Sequence, residues 1–328
     1  MKIESWSTEE RAELAERLRS GVPIHLEIAT MSGRGKRMAR NLRVDEIAPL
    51  ADTITSSDPV FSRGIQEFSA PGAKGGVAGT VTAIIPSSRQ APLGVRSLLN
   101  QDVDVDVLVL SNGSGPESVP GARVERVEWE GHGTTRARAV ERVSTDYVFF
   151  TVDDAIPLGR GCIRTLVQAL ESGPWDAVVA RQIPWPDSDA VTASRLRRWT
   201  PPGHRIVPME QTDHVATLIR TQTLRDHPIP SVPIAEDAWW SRDRRVAYVP
   251  TAPVLHSHSR RPLNLYRRNR DIHAQLVAMG RPASVPHWSA LIYALPGVLR
   301  PSVAVGGIEW MNQIAELTGQ WRGAAIGR

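Results

Sequence analysis

Apolar runs alternate with helical patterns through the middle of the chain. Val81–Ile85, Val105–Leu110, Val124–Trp129, Tyr147–Val152 and Trp175–Ala180 are short apolar runs of strand length. Between them, Pro92–Asn100, Thr134–Val143 and Arg164–Glu171 place apolar residues at helical spacing. Strands alternating with helices predict an α/β fold with a mostly parallel sheet covered by helices on both faces. Ligands of such sheets bind beyond the carboxyl ends of the strands. Here those ends carry Pro86-Ser87-Ser88, Ser111-Asn112-Gly113-Ser114 and Asp153-Asp154, small polar residues suited to a nucleotide.

The flanks read differently. Residues 1–78 form an N-terminal extension of unassigned role. In it, Ser7 and Glu10 make a capping box before a helical run at Arg11–Arg19. Pro23–Thr30 fits a strand, residues 32–41 are a basic loop, and Ser69–Gly79 fits a linker. Residues 183–235 are broken by prolines and read as long binding loops. Val246–Val249 and Ala252–Leu255 fit edge strands. The tail, 262–328, is expected to be helical, with Trp288, Leu291, Ile292, Leu295, Leu299, Trp310 and Trp321 on apolar faces. The expected organisation is an extension (1–78), a catalytic domain (79–261) and a helical C-terminal region (262–328).

Composition narrows this picture only a little. The chain has 328 residues, 41% hydrophobic and 23% charged, enough for a real core. A formal net charge of +4 argues against a nucleic-acid partner. Cys162 is the single cysteine, so no intrachain disulfide forms. No signal-like core opens the chain and no run reaches the ~18 apolar residues of a membrane span. The expectation is a cytoplasmic protein, free or at the inner face of the cell membrane. A Gly-x-Gly-x-x-Gly turn, a Walker loop and a Gly-x-Ser-x-Gly elbow are all missing.

The chemistry-bearing residues cluster at a few places. Asp153-Asp154 ends an apolar strand, where carboxylates can hold Mg2+ or Mn2+ or simply cap the next turn. Glu236-Asp237 can supply a general base or an ordinary acidic helix start. His256 and His258, spaced i, i+2, share a face if extended and can ligate a metal or touch phosphate. Arg136, Arg138, Arg181 and the run Arg267, Arg268, Arg270 can pair with a diphosphate or merely be solvated.

The order of these pieces resembles family-2 glycosyltransferases of the GT-A fold, within them the bacterial rhamnosyltransferase-like group. The likeness runs from about Val81 to Arg270. Val81–Ser88 is similar to that family's opening strand and turn, and Val107–Ser114 to its second strand. Gly133–Arg138 resembles Gly-x-x-x-Ala-Arg-Asn, and Phe150–Pro157 the group's Leu-Thr-Gln-Asp-Ala-x-Pro. Arg181-Gln182-Ile183-Pro184, Glu236-Asp237 and His256-Ser257-His258 resemble three further elements of the group. The chain departs from the pattern at Ser111-Asn112 (usually Asp-Asp), at Ala139 (usually Asn) and at Val152 (the first carboxylate of Asp-x-Asp).

The resemblance implies a nucleotide-diphosphate-sugar donor, a glycan or lipid-linked acceptor and an inverting single displacement, in cell-surface polysaccharide or glycolipid synthesis. It implies Asp154, with His256 or His258, as ligands of Mg2+ or Mn2+, and Asp237, beside Glu236, as catalytic base. Pro86, Ser87, Ser88, Asn112, Ser114, Arg136, Arg138 and Asp153 are the expected nucleotide-side residues. Arg181 and Gln182 are expected on the sugar or acceptor side. A peripheral membrane contact of the tail and a homo-oligomer are further expectations. The competing readings are a non-catalytic nucleotide-sugar-binding module and a sugar nucleotidyltransferase.

Overall fold

A computed structural model describes residues 79–184, 188, 190–258, 261–280 and 307–327. It also describes the backbone of short strands at Glu27–Ile28, Lys36–Arg37, Asp58–Ser62 and Ile65–Ser69. Glu27–Ile28 falls inside the strand expected at 23–30 and pairs antiparallel with Lys36–Arg37 of the basic stretch. The helix expected at Arg11–Arg19, most of the linker before residue 79 and the apolar positions from Trp288 to Leu299 lie outside the described residues.

The first half of the sheet is built from β1 (Val81–Ser87), β2 (Val105–Ser111), β3 (Arg123–Arg126) and β4 (Tyr147–Thr151). Helices α1 (Val95–Leu99) and α2 (His132–Val140) connect them. A short β5 (Ile156–Pro157) and α3 (Cys162–Glu171) lead into β6 (Ala177–Ile183). Then come α4 (Ala190–Trp199), β7 (Val207–Met209), β8 (Ala216–Arg220), α5 (Thr221–Asp226), α6 (Glu236–Trp240) and β9 (Val246–Leu255). Helices α7 (Pro262–Ala278) and α8 (Gly307–Ile326) close the chain.

These strands form one nine-stranded sheet in the order β7-β9-β6-β8-β4-β1-β2-β3, with β5 paired to β9. β1, β2, β3 and β4 run parallel. β8 is antiparallel to both β4 and β6, while β6 and β9 are parallel. Alternate residues feed two cores, as the strand period of two requires. Ala83, Ile85, Val109 and Phe149 pack with Leu98 of α1 and Leu166 of α3. Ile84, Leu108, Val148 and Phe150 pack on the other side with Ala139 of α2, Leu224 of α5 and Trp240 of α6. Both faces are therefore covered, and the central strands read as continuous apolar runs for that reason. This is the α/β architecture with a helix-flanked sheet expected from the sequence.

Two regions differ from expectation. The stretch 183–235 that reads as irregular carries α4, β7, β8 and α5, and β8 sits in the middle of the sheet. Its short run Ala216-Thr-Leu-Ile-Arg is hidden among prolines, and its burial comes from β4 and β6 rather than from local pattern. The two edge strands expected after residue 245 are one strand, β9, paired on one side with β6 and on the other with β7. Pro250 and Pro253 look like breakers, but the register slips there. Ala180 faces Val249 and Arg181 faces Pro253, so residues 250–252 bulge out.

The tail helices pack closely on each other. A side chain at Gly319, Gly323 or Gly327 of this region would strike the backbone carbonyls of Tyr266, Arg270 and Ala274 on α7. Arg195 of α4 also bonds Glu316 of α8 at 2.7–2.8 Å, so the pair is tied to the sheet domain. Among the described residues no helix is long and apolar enough to cross a membrane.

Candidate functional site

The strand order reverses between β1 and β4, because β2 and β3 follow β1 to one side and β4 lies on the other. Such a switch point leaves a crevice beyond the strand ends. A cavity of about 1370 Å³ opens there. Pro86, Ser88 and Asn112 line it from the ends of β1 and β2, and Asp153 and Asp154 from the turn after β4. Gln182, Glu236, Asp237, His256 and His258 line it from the second half, and Arg268 of α7 borders it. Sites for one drug-sized ligand run roughly 300–1,000 Å³, so this cavity has room for two reactants.

The corner beneath β1 is a small polar network. The Ser87 hydroxyl donates to Asp153 Oδ2 at 3.1 Å and accepts the Arg89 backbone N–H at 3.1 Å. The Arg89 guanidinium reaches Asp153 Oδ1 at 3.2 Å and Asp154 Oδ2 at 3.6 Å. Burial raises the Asp153 carboxyl above its ordinary range, and the Arg89 charge works against that rise. Asn112 donates through its backbone (2.9 Å) and its side chain (3.2 Å) to the Ser87 carbonyl. The Ser114 hydroxyl donates to the Ser88 carbonyl at 2.8 Å. Ser87 and Ser114 thus brace the two strand ends and are not themselves in the cavity wall.

Asp154, His256 and His258 converge beside this network. His256 Nε2 is 3.6 Å from Asp154 Oδ1, and His258 Nδ1 is 3.9 Å from Asp154 Oδ2. One potential ligand atom from each residue lies within 4.8 Å of the others. Ligands bound to one Mg2+ or Mn2+ at about 2.1 Å stand roughly 3–4 Å apart. The oxygen and nitrogen donors are of the kind a divalent cation takes, and the group lies close to that spacing. The two imidazoles meet edge to face, with ring centres 4.5 Å apart.

The opposite wall is α6. Ala235, its N-cap, has φ 64°, the left-handed region that a residue with a Cβ seldom adopts. That turn is pressed against α2. A Cβ on Gly131 would strike the Pro233 backbone, and one on Gly133 would strike the carbonyls of Pro230 and Val232. Only glycine allows this approach. The Arg136 guanidinium of α2 reaches across to the Glu236 carboxylate, with both side chains almost fully buried. Arg136 also donates to the His214 carbonyl at 3.2 Å. His214 Nδ1 stands 3.4 Å from Glu236 Oε1, at the limit of hydrogen-bond reach. Burial resists ionisation of Glu236, but His214 and Arg136 outweigh it and bring the carboxyl down to about 2.

Asp237 is the other carboxylate of this pair. It is half-buried in the cavity wall, and its Oδ1 accepts the Ala238 N–H at 2.7 Å. Its pKa is raised, first by burial and then by the Glu236 charge next to it. A carboxylate held ionised beside one pushed up is an arrangement able to take a proton from a hydroxyl. His132, nearby on α2, is lowered to about 4 by burial and then by Arg136, so it is neutral at neutral pH.

Most residues expected at the site line the cavity: Pro86, Ser88, Asn112, Arg136, Asp153, Asp154, Gln182, Glu236, Asp237, His256 and His258. Arg138 and Arg181 do not. Arg138 is exposed and paired with Glu130. Arg181 is buried on β6, one position from Gln182 and hence on the other face of the strand. Sequence reasoning missed Arg89, Asp213 and His214. Arg89 stands two residues beyond Ser87, a place where a reader of the β1 turn could have looked. Asp213 and His214 carry no local signal, because they sit alone in the proline-broken stretch.

No family profile matches the chain, and no curated protein sequence matches it. Solved structures do resemble it. Against TarS from S. aureus in complex with UDP-GlcNAc the identity is 14% and the TM-score 0.40, over 60% of this chain and 66% of that one. The chain thus spans just under two thirds of that TarS structure. Against the mannosyltransferase PcManGT from Pyrobaculum calidifontis, bound to GDP-Man and Mn2+, the identity is 15% and the TM-score 0.45. That match covers 98% of this chain and 86% of the other. A mycobacterial protein is similar at 20% identity and TM-score 0.43, over 63% and 77% of the two chains. At these identities and scores the likeness says nothing of substrate or chemistry, which rest on the site itself.

Proposed function

We propose that the protein is a glycosyltransferase that moves a sugar from a nucleotide-diphosphate sugar to an acceptor hydroxyl with inversion at the anomeric carbon. The observation that carries this reading is the meeting of three features in one cavity at the switch point. They are the polar ends of β1 and β2, the Asp154–His256–His258 corner and the Asp237 carboxylate.

Pro86, Ser88 and Asn112 would bound the nucleoside, with Arg89 and Asp153 at the diphosphate side. Asp154, His256 and His258 would hold Mg2+ or Mn2+. The bound ion would neutralise charge on the departing nucleoside diphosphate. Asp237 would accept the acceptor's hydroxyl proton as the new C–O bond forms and the bond from the anomeric carbon to the diphosphate breaks. Glu236 stays ionised against Arg136 and keeps Asp237 basic. The α4 and α7 walls would shape the acceptor side, for a glycan or lipid-linked acceptor. The group likeness adds a role in cell-surface polysaccharide or glycolipid synthesis, and the pattern along the chain adds a domain split at about residues 78 and 261.

A thermal-shift series with nucleoside diphosphates and nucleotide sugars, with and without Mn2+, tests the donor site. A metal-dependent shift for one base, lost in Asp154→Ala, is expected. No shift with any nucleotide under either condition would overturn the reading. The anomeric configuration of the product then tests inversion.

A further inference from the structure

Two residues stand behind the metal corner. His256 Nδ1 lies 2.9 Å from Gln182 Oε1, and Gln182 Nε2 donates to Asp213 Oδ2 at 2.7 Å. Asp213 is itself anchored at the start of β8, where its Oδ1 accepts the Val215 N–H at 3.2 Å. The Gln182 backbone is fixed by β6, and its carbonyl accepts the Thr200 hydroxyl at 3.0 Å. The His256 backbone N–H is held by the Ile183 carbonyl at 2.8 Å.

The polarity of this chain of bonds follows from chemistry. An ionised carboxylate only accepts hydrogen bonds, so the Gln182 amide must turn its NH2 towards Asp213. Its carbonyl oxygen then faces His256, and that oxygen only accepts. In the neutral imidazole the proton of His256 must therefore sit on Nδ1, which leaves Nε2 with a lone pair. Nε2 is the nitrogen that faces Asp154. Partners of this kind commonly set which nitrogen of a ligating histidine is free to bind.

We propose that Gln182, oriented by Asp213, is a positioning residue that fixes His256 as the Nδ1–H tautomer and turns Nε2 to the cation held with Asp154. The proposal rests on the metal corner put forward above. It gives Gln182 a place on the metal side rather than a direct contact with sugar, and it gives Asp213 a role that no motif suggested.

The test uses the full chain and Mn2+ alone. Mn2+ affinity is read by electron paramagnetic resonance. The His256 tautomer is read by two-bond 15N–1H correlation of histidine-labelled protein, with the signal assigned through His256→Gln. Gln182→Leu is expected to weaken Mn2+ roughly 10–100-fold, the usual cost of losing such a partner, and to abolish the pure Nδ1–H signature. The double variant Gln182→Glu with Asp213→Asn reverses the inner bond, since the new amide donates and the new carboxylate still accepts from His256. It should keep both the tautomer and the affinity within a few-fold. Unchanged affinity and tautomer in Gln182→Leu would overturn the proposal. If that variant does not fold, loss of the Nδ1–H form in the double variant overturns it. A wild-type His256 carrying its proton on Nε2 would sink the relay and leave the metal corner standing. The expected tautomer with no Mn2+ binding would sink the metal corner and the proposal with it.

Discussion

The two halves of the sheet build their rims in opposite ways. On the β1–β4 side, parallel strands end in polar turns, and the polar contacts are half open to solvent, as with Arg89 on Asp153. On the β6–β9 side, an antiparallel strand is inserted, the cavity residues come from distant segments, and the charges are sealed inside. Arg136 and Glu236 are the clearest case. Exposed pairs are worth about 0–1 kcal/mol, whereas breaking a buried pair costs about 3–5 kcal/mol. The first rim can therefore adjust to a ligand at little cost. The second is fixed before any ligand arrives, which suits a wall that would present the proposed base Asp237 and the proposed ligand His256 in one geometry.

Substitutions on each rim sharpen this contrast. The largest effect should come from Asp237→Asn on the fixed side. Turnover should fall by about 10²–10⁴-fold while nucleotide-dependent melting shifts persist. Because the Asp237 pKa is raised, wild-type turnover should fall on acidification while the pH is still above the ordinary aspartate range. Turnover that survives the substitution would remove Asp237 from the reaction.

Glu236→Gln should destabilise the protein by about 3–5 kcal/mol in urea unfolding, by stranding the Arg136 charge. Its pH dependence has a definite sign. The Glu236 pKa is lowered in the folded state, so its contribution is complete above the ordinary glutamate range of about 4.3 and is lost as pH falls towards about 2. The Gln variant should show a flatter stability profile across that window. Equal slopes would mean that other carboxylates carry the acid sensitivity.

Asn112→Ala, on the adaptable rim, removes the 3.2 Å bond to the Ser87 carbonyl. About 0.5–1.5 kcal/mol of stability should go with it, with a matching loss of nucleotide affinity by calorimetry. Arg138→Ala should do least. Its partner Glu130 is on the surface and neither lines the cavity, so stability should stay within about 0.5 kcal/mol and nucleotide binding should not move. A large binding loss there would mean that the cavity extends further than its walls indicate.

The same contrast sets how much could be read in advance. β1, β2 and β4 announce themselves, because strands buried on both faces leave continuous apolar runs and their ends leave Pro86, Asn112 and Asp154 in plain view. Glu236-Asp237 and His256/His258 were also visible, as pairs of chemistry-bearing residues at short spacing. What pairing could not reveal is what those groups lean on. The guanidinium that holds Glu236 comes from Arg136, a hundred positions earlier. The support of His256 runs through Asp213, a lone aspartate among prolines. β8 was hidden for the same reason: its place is set by neighbours far away in the chain, not by its own pattern. Arg138 and Arg181 show the converse, since an arginine near a site carries no mark that separates a wall residue from one on the surface, as Arg138 is, or one buried on the far face of a strand, as Arg181 is.

The slip in β9 has a consequence of its own. Pro250, Thr251 and Ala252 have no counterparts on β6, so the count of residues between Val249 and His256 decides which way each imidazole looks. Adding a single codon to that bulge would change no chemical group of the site, yet it would hand the places of His256 and His258 to Leu255 and Ser257. Such a lesion should leave a folded protein that no longer retains Mn2+ on dialysis. In this segment, then, the spelling of the gene matters less through its letters than through the parity of their number.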